Sequence, residues 1–228
     1  MIRPVDAHST ADPPAADRIR AVAARLFSEK GFSATSVREI VGEVGLSPGA
    51  IYNHFESKEA LLYAIALETH ERLLDALNRT LADRSTTARE DLDRLVTVVA
   101  LNALEASLST RTSEREYTHL SEPHRTRITE IRRQILTTFE STLLAGVESG
   151  EFSLPEASPR AARRLATSIV NLLIRLSDGT TADPSTPEYQ LSHAENVELH
   201  KELVRRMTRA VDNGASSVRA IPGGIVVG

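Results

Sequence analysis

The chain has 228 residues, of which 41% are hydrophobic and 4% are aromatic; it has no cysteine and a formal net charge of −4. This length can bury a sizeable core, and the lack of cysteine excludes disulfides and thiolate metal sites. No apolar run reaches the 18 residues of a membrane span, and residues 1–6 lack a signal-peptide core. We therefore expect a cytoplasmic protein without a membrane partner, and the negative charge argues against a protein that coats nucleic acid.

The N-terminal third predicts three short helices. Residues 1–14 are rich in Pro, Asp and Ala and are expected to form a disordered arm, and helical apolar spacing predicts a first helix over 15–30. Ser36 and Glu39 form a capping-box pattern that begins a second helix, which ends before Gly45. Ser47 is expected to cap a third helix with Pro48 at its first position. The predicted core of this unit contains Phe27, Phe32, Val37, Ile40, Val44, Leu46, Ile51, Tyr52 and Phe55.

A helix, a short turn with glycine and a second helix make up the helix-turn-helix arrangement, whose second helix reads the major groove. Residues 17–65 resemble the DNA-binding domain of the TetR family of regulators. The matching residues are Ala24, Phe27, Gly31-Phe32, Thr35-Ser36-Val37-Arg38, Ile40, Gly45-Leu46-Ser47, Tyr52, His54-Phe55, Ser57-Lys58 and Leu61-Leu62. The chain departs from the family at Val41-Gly42, where an alanine and a polar residue are usual.

The remaining chain predicts an all-α architecture of about nine helices. The N-terminal three-helix helix-turn-helix DNA-binding domain spans 15–57, and a connecting helix spans 58–82. A helical ligand-binding and dimerisation bundle spans 83–214, and a flexible tail follows over 215–228. Apolar periodicity within the bundle predicts helices near 87–109, 123–149, 160–177 and 188–213, with a polar connection over 111–120.

The predicted DNA contacts lie on and around the third helix. Asn53 can pair with an adenine edge and Ala50 can touch a thymine methyl group, and the resemblance implies phosphate contacts for four further residues (Ser36, Tyr52, His54 and Lys58). The full predicted set is Ser36, Arg38, Ser47, Gly49, Ala50, Tyr52, Asn53, His54 and Lys58. The expected partner is double-stranded DNA with a palindromic operator, because two readers about 34 Å apart match successive major grooves.

The resemblance also implies a homodimer and an effector cavity. The last two helices are expected to pair with their copies through Leu165, Leu172, Leu176, Val197, Val204 and Met207. The cavity is expected among the fourth, fifth, seventh and eighth helices, with candidate ligand-binding residues Asn102, Leu104, Tyr117, Arg132, Phe139, Asn171 and Arg175. Segments 114–133 and 147–152 resemble an acyl-CoA-responsive subset of the family, so the expected effector is a small apolar molecule or an acyl-CoA thioester.

Three alternatives were weighed against this interpretation. A metal effector would use His119 and His124 with Glu116 or Glu122, or His193 with His200, although the prediction is that no metal is bound. No nucleophile elbow, phosphate-binding glycine loop or His-Glu-x-x-His motif is present, so neither an enzyme nor a cofactor is expected. The acidic balance motivates a different class of function, a ligand-binding or interaction protein whose DNA-binding domain is vestigial.

Overall fold

The computed structural model describes residues 14–47, 49–82, 87–105, 108–154, 158–175 and 191–209. In these ranges the fold is all-helical, which confirms the predicted class. The α-helices are α1 (Ala15–Lys30), α2 (Val37–Val44), α3 (Lys58–Ala82), α4 (Ala88–Leu104), α5 (Leu108–Arg115), α6 (Glu122–Glu148), α7 (Pro159–Ile174) and α8 (His193–Met207). Two short 3₁₀ segments, Ala50–Asn53 and Tyr117–His119, complete the described elements.

No helix in the described ranges is both long enough and apolar enough to cross a lipid bilayer.

The first two helices begin and end where the sequence predicts. The Ser36 hydroxyl oxygen accepts a hydrogen bond from the Glu39 N–H at 3.2 Å and so caps α2. Gly31 (φ 84°) follows α1 and Gly45 (φ 75°) follows α2, and both positions favour glycine because a Cβ is strained at positive φ.

The third helix is shorter than predicted. It is a single 3₁₀ turn over Ala50–Asn53, which we call the recognition segment, and its N-cap position is Gly49 rather than Ser47. Ser47 contributes only its backbone carbonyl, which accepts from the Ala50 N–H at 3.0 Å. The prediction of a Ser47 side-chain cap is therefore wrong. Ser57 does cap the next helix, because its hydroxyl oxygen accepts from the Ala60 N–H at 2.9 Å.

The predicted helix over 87–109 and the polar connection over 111–120 are wrong. The chain leaves α4 after Leu104 and forms a separate helix, α5, which packs against α1 and α3. Its Thr112 is 0% exposed, and the Thr112 hydroxyl donates to the Ala24 carbonyl of α1 at 2.8 Å. The buried residues of α5 are hydroxyl-bearing rather than apolar, so the helix carries no apolar periodicity to reveal it.

Two hydrophobic clusters make up the core, and two long helices join them. Leu61 and Ile65 of α3 belong to the N-terminal cluster, whereas Leu77 of the same helix belongs to the C-terminal cluster. Helix α6 likewise places Ile128 in the first cluster and Phe139 in the second. A displacement at the C-terminal end of either helix is therefore transmitted to the N-terminal unit through continuous packed side chains.

The segment after α6 supports the start of α4. The Glu151 carboxylate accepts hydrogen bonds from the backbone N–H groups of Ala88 (3.0 Å) and Arg89 (3.1 Å). The Ala88 hydrogen bond is the main reason why the pKa of Glu151 lies below its usual value. Phe152 packs so closely on Gly146 that a Cβ there would lie 2.0 Å from the nearest ring carbon. Segment 147–152 thus has a structural role in this chain.

The C-terminal helices are shorter than predicted within the described ranges. Ser192 and Glu195 form a capping box at the start of α8, so this helix begins at His193 and not near residue 188. The predicted arm, most of the 82–86 linker, the ends predicted at 177 and 213, and the tail over 215–228 lie outside the described residues.

Candidate nucleic-acid interface and effector cavity

The recognition segment presents its polar side chains to solvent. Ile51 (2% exposed) and Phe55 (9% exposed) are four residues apart and anchor the segment in the N-terminal core. The three side chains between them, Tyr52, Asn53 and His54, are exposed. Tyr52 is 58% exposed, so its predicted place in the core is wrong, while its exposure suits its other predicted role as a DNA contact.

The remaining candidate contacts surround this segment. Ser36 and Arg38 are exposed at the start of α2, and Ser47 and Gly49 are exposed in the turn that follows α2; Ala50 is half-buried. Arg38 forms no ion pair with any residue in the described ranges. Its guanidinium is therefore available to a phosphate or to a base edge.

Ion pairs compensate most of the acidic residues in this domain. Asp17 pairs with Arg20, Arg25 pairs with both Glu29 and Glu43, and Lys30 pairs with Glu39; the list of pairs is complete for the described ranges except for Glu68 on α3, which also contacts Arg20. The acidic balance that argued against DNA binding is thus largely neutralised by local partners, and these pairs leave Arg38 uncompensated.

Lys58 has a structural position that the sequence did not indicate. Its ammonium group donates to the carbonyls of Phe32 and Thr35, both at 2.8 Å, and lies 4.3 Å from the centre of the Phe32 ring. Partial burial lowers the pKa of the Lys58 ammonium. The side chain thereby ties the start of α3 to the turn between α1 and α2, and the phosphate contact predicted for it stays a prediction.

A cavity of about 580 Å³ lies in the C-terminal bundle among α3, α4, α5, α6 and α7. If the recognition segment is counted as the third helix, four of these are the helices expected from the resemblance, and α5 is an additional wall. Part of the lining is apolar and consists of Leu73, Val99, Ala103, Ile135, Leu136, Val170 and Ile174. The charged part of the lining consists of three arginines and one glutamate: Arg115, Arg132, Arg175 and Glu114.

Four of the seven predicted ligand-binding residues line this cavity: Asn102, Arg132, Asn171 and Arg175. The other three do not. Phe139 is 0% exposed inside the C-terminal cluster, and Leu104 packs against the same cluster. Tyr117 packs against the N-terminal cluster, because it lies in the 3₁₀ turn that follows α5.

Sequence reasoning missed a polar network on the cavity wall. Arg132 of α6 donates through Nη2 to both carboxylate oxygens of Glu114 at 2.9 Å, and through Nε to His70 Nε2 at 3.0 Å. Burial disfavours the charged form of Glu114, but its contacts with His70 and Arg132 outweigh this effect and leave its pKa below the usual value. The missing signal is the helical state of α5, since only that helix brings Glu114 to Arg132.

The predicted dimer residues divide into two groups. Leu172 on α7 and Met207 on α8 are exposed (36% and 39%), and Leu165 is half-buried. Val197 and Val204 are 5% and 0% exposed and belong to the chain's own core, so their assignment to the interface is wrong; Leu176 lies outside the described residues.

The opposite side of α8 carries the apolar side chains that the sequence analysis did not single out. Leu199, Leu203 and Met207 recur every four residues and are 45%, 37% and 39% exposed. Residues at this spacing share one face of a helix. Helix α8 therefore has an inner apolar stripe that packs on α4 and an outer apolar stripe without a partner in the described part of this protomer.

The histidines considered as metal ligands have separate partners. His124 contacts the Glu59 carboxylate (2.8 Å) and stacks on Tyr63, whereas His119 contacts Glu116 (3.2 Å). Across the described ranges no group of three or more His, Asp or Glu side chains is placed to hold a metal ion.

Comparisons with known proteins agree with this architecture. Residues 19–65 match the model of the bacterial regulatory proteins of the tetR family, and residues 85–175 match that of the tetracyclin repressor-like C-terminal domain. The transcriptional repressor KstR2 of Rhodococcus jostii is 32% identical over 133 residues, which are 58% of this chain and 64% of that protein. The chain spans only 36% of other curated regulators that it matches.

Two solved structures extend the match. A bacterial regulatory protein in the tetR family from Rhodococcus RHA1 superposes with a TM-score of 0.77 at 31% identity, over 89% of this chain and 100% of that chain. AibR, solved in complex with isovaleryl coenzyme A and operator DNA, superposes with a TM-score of 0.71 over 83% of this chain and 97% of that chain; at 18% identity it shows the fold alone. The named curated relatives are transcriptional regulators and not enzymes. The chain belongs to the TetR family of bacterial regulatory proteins.

Proposed function

We propose that the chain is a homodimeric, cytoplasmic transcriptional regulator that binds DNA, and specifically a repressor that leaves a palindromic operator when an effector fills the C-terminal cavity. The observation that carries the proposal is the recognition segment, which Ile51 and Phe55 anchor while Tyr52, Asn53 and His54 face solvent. Polar side chains held rigidly outside a core are suited to a groove. Family membership supports the same function.

The roles of the exposed residues differ by chemistry. Asn53 reads a base edge, since its amide can donate and accept toward adenine. Arg38, Tyr52 and His54 contact phosphates or, for Arg38, a guanine edge. Ser36, Ser47 and Gly49 position the backbone close to the duplex.

A second copy of the chain completes the DNA-binding unit. The outer stripe of α8 (Leu199, Leu203 and Met207) and the exposed Leu172 on α7 supply an apolar surface for it. One reader domain buries too little surface for tight specific binding, and a two-fold dimer places two readers on successive major grooves. Replacing Leu203 with Glu should convert the dimer to a monomer in sedimentation experiments, while Leu191→Glu, an exposed residue before α8, serves as the control. An unchanged dimer after Leu203→Glu would refute this interface.

The effector is a small apolar molecule or an acyl-CoA thioester. The apolar part of the 580 Å³ cavity would take an aliphatic body, and the three arginines of its wall would meet anionic groups. The complex of AibR with isovaleryl coenzyme A adds support by analogy of fold. The effector acts by population shift: it prefers a dimer whose two recognition segments are wrongly spaced for DNA, and the difference in affinity weakens operator binding.

The test is binding of the purified protein to its own promoter region at a stated salt concentration, with and without acyl-CoA thioesters. Saturable, sequence-dependent binding below micromolar that one thioester abolishes would establish the regulator and its effector class. The Asn53→Ala variant should relax base preference, whereas Tyr52→Ala should weaken binding to all sequences equally.

Failure to bind any promoter fragment would instead favour the alternative, a ligand-binding or interaction protein with a vestigial reader. The net charge of −4 is the observation behind that alternative. The pairing of acidic residues with Arg20, Arg25 and Lys30 weakens it.

A further inference from the structure

The polar network on the cavity wall has a defined protonation state. The Ala66 carbonyl, 2.8 Å from His70 Nδ1, can only accept, so Nδ1 carries a proton. The Arg132 Nε–H can only donate, so His70 Nε2, which lies 3.0 Å away, is the acceptor. His70 is therefore neutral in this arrangement, and Glu114 alone balances the charge of Arg132.

The cavity as a whole favours an anion. Its charged lining is three arginines against one glutamate, a net of two positive charges. Arg132 uses Nε on His70 and Nη2 on Glu114, and its Nη1 has no hydrogen-bond partner among the described residues. A guanidinium with a free nitrogen can bind a carboxylate or phosphate oxygen. Such a ligand would compete directly with Glu114.

Glu114 belongs to the helix that contacts the DNA-reading domain. Helix α5 packs against α1 and α3, and its Thr112 donates to the Ala24 carbonyl of α1 at 2.8 Å. The Arg132 guanidinium also lies 4.4 Å from the centre of the Tyr117 ring, which packs on the N-terminal cluster. A change of partner at Arg132 therefore acts on two contacts of the N-terminal unit.

We propose that the cavity binds an amphiphile with an anionic group, and that this group takes the Arg132 guanidinium from Glu114. The aliphatic body lies against the apolar wall, and the released Glu114 loosens α5 from α6. This inference rests on the proposed function, because it treats the cavity as the effector site. It narrows the effector to an anion and names the intramolecular carboxylate that the anion replaces.

The test is calorimetric binding of eight-carbon probes to the full chain in the absence of DNA. Octanoate and octanoyl-CoA carry the anion as a carboxylate and as phosphates, octanol is uncharged, and octylamine is cationic. We expect at least one anionic probe to bind tenfold or more tightly than octanol and octylamine, since a charge-assisted hydrogen bond is worth about tenfold or more. The anion that binds identifies its source, and either one supports the exchange.

Variants separate exchange at Arg132 from adventitious binding. Arg132→Gln should lower anion affinity about tenfold, and Glu114→Gln should raise it severalfold because the competitor loses its charge. The double variant removes both charges and guards against misfolding from an unpaired Glu114; it should bind the anion as weakly as it binds octanol. Matched controls are Arg133→Gln and Glu130→Gln on α6, an exposed pair, which should change nothing.

Equal binding of octanoate, octanoyl-CoA, octanol and octylamine would overturn the proposal, as would no binding of either anion. Anion affinity unchanged by both Arg132→Gln and the double variant would also overturn it. Because these measurements contain no DNA, a protein that bound anions through Arg132 but bound no promoter would refute the proposed function and leave this inference standing.

Discussion

Replacing Lys58 with Met should destabilise the DNA-reading domain without changing the salt dependence of DNA binding. The substitution keeps an apolar stem over the Phe32 ring but removes the two hydrogen bonds to the carbonyls of Phe32 and Thr35. Hydrogen bonds to charged groups are worth roughly 1.5–3 kcal/mol each. Because Lys58 is only partly buried, water replaces part of this, and we expect a total loss of about 2 kcal/mol.

The two possible roles of Lys58 leave different signatures. A loss of about 2 kcal/mol corresponds to a fall in Tm of roughly 4–8 °C for a chain of this size. A lost phosphate contact would instead reduce the slope of log K against log salt by about 0.9. Thermal unfolding at one protein concentration and fluorescence anisotropy with operator DNA between about 50 and 200 mM salt measure both quantities.

Arg38→Met provides the matched comparison, since Arg38 is exposed and has no ion pair among the described residues. It should lower the salt slope and leave Tm unchanged. If Lys58→Met left Tm unchanged and lowered the slope instead, Lys58 would be a phosphate contact and the structural reasoning would be refuted.

Two further predictions concern stability and use thermal unfolding. Gly146→Ala should cost roughly 1–3 kcal/mol through the collision with Phe152, whereas Gly42→Ala, which meets nothing within 4 Å, should stabilise by up to about 1 kcal/mol; a Gly146→Ala protein as stable as wild type would contradict the close packing. Glu151 has a lowered pKa, so its carboxylate stabilises the fold above its unfolded pKa of about 4.3 and loses this effect as the pH falls through the lower folded value. Glu151→Gln should therefore lose stability at pH 7 and show a shallower acid decline, and superimposable pH profiles would exclude the cap.

Local chemistry was readable wherever a side chain acts on its own neighbours. Ser36 capping α2, Ser57 capping α3 and the positive φ of Gly45 follow from hydrogen bonds within three residues or from the absence of a Cβ. Long apolar repeats likewise located α1, α3 and α6 closely. Membership of the TetR family was predictable because the DNA-reading domain is built almost entirely from such local signals.

Contacts distant in sequence were not readable, and they decided most of the cavity. Helix α5 is stabilised by hydroxyl groups that bond to backbone, such as Thr112 to Ala24, 88 residues away, and so it has no apolar pattern. Its absence from the predicted elements hid the pairing of Glu114 with Arg132. The same limit explains Lys58, whose partners Phe32 and Thr35 lie 26 and 23 residues earlier.

Helix α8 shows the division between sequence and tertiary structure. Its sequence determined an amphipathic helix with apolar residues on more than one face, including Val197, Val204, Leu203 and Met207. Only packing against α4 decided that Val197 and Val204 lie in the protomer's core while Leu203 and Met207 stay exposed. A period of 3.6 residues defines which side chains share a face. Which face is buried depends on the neighbouring helix, and that is set by the three-dimensional fold.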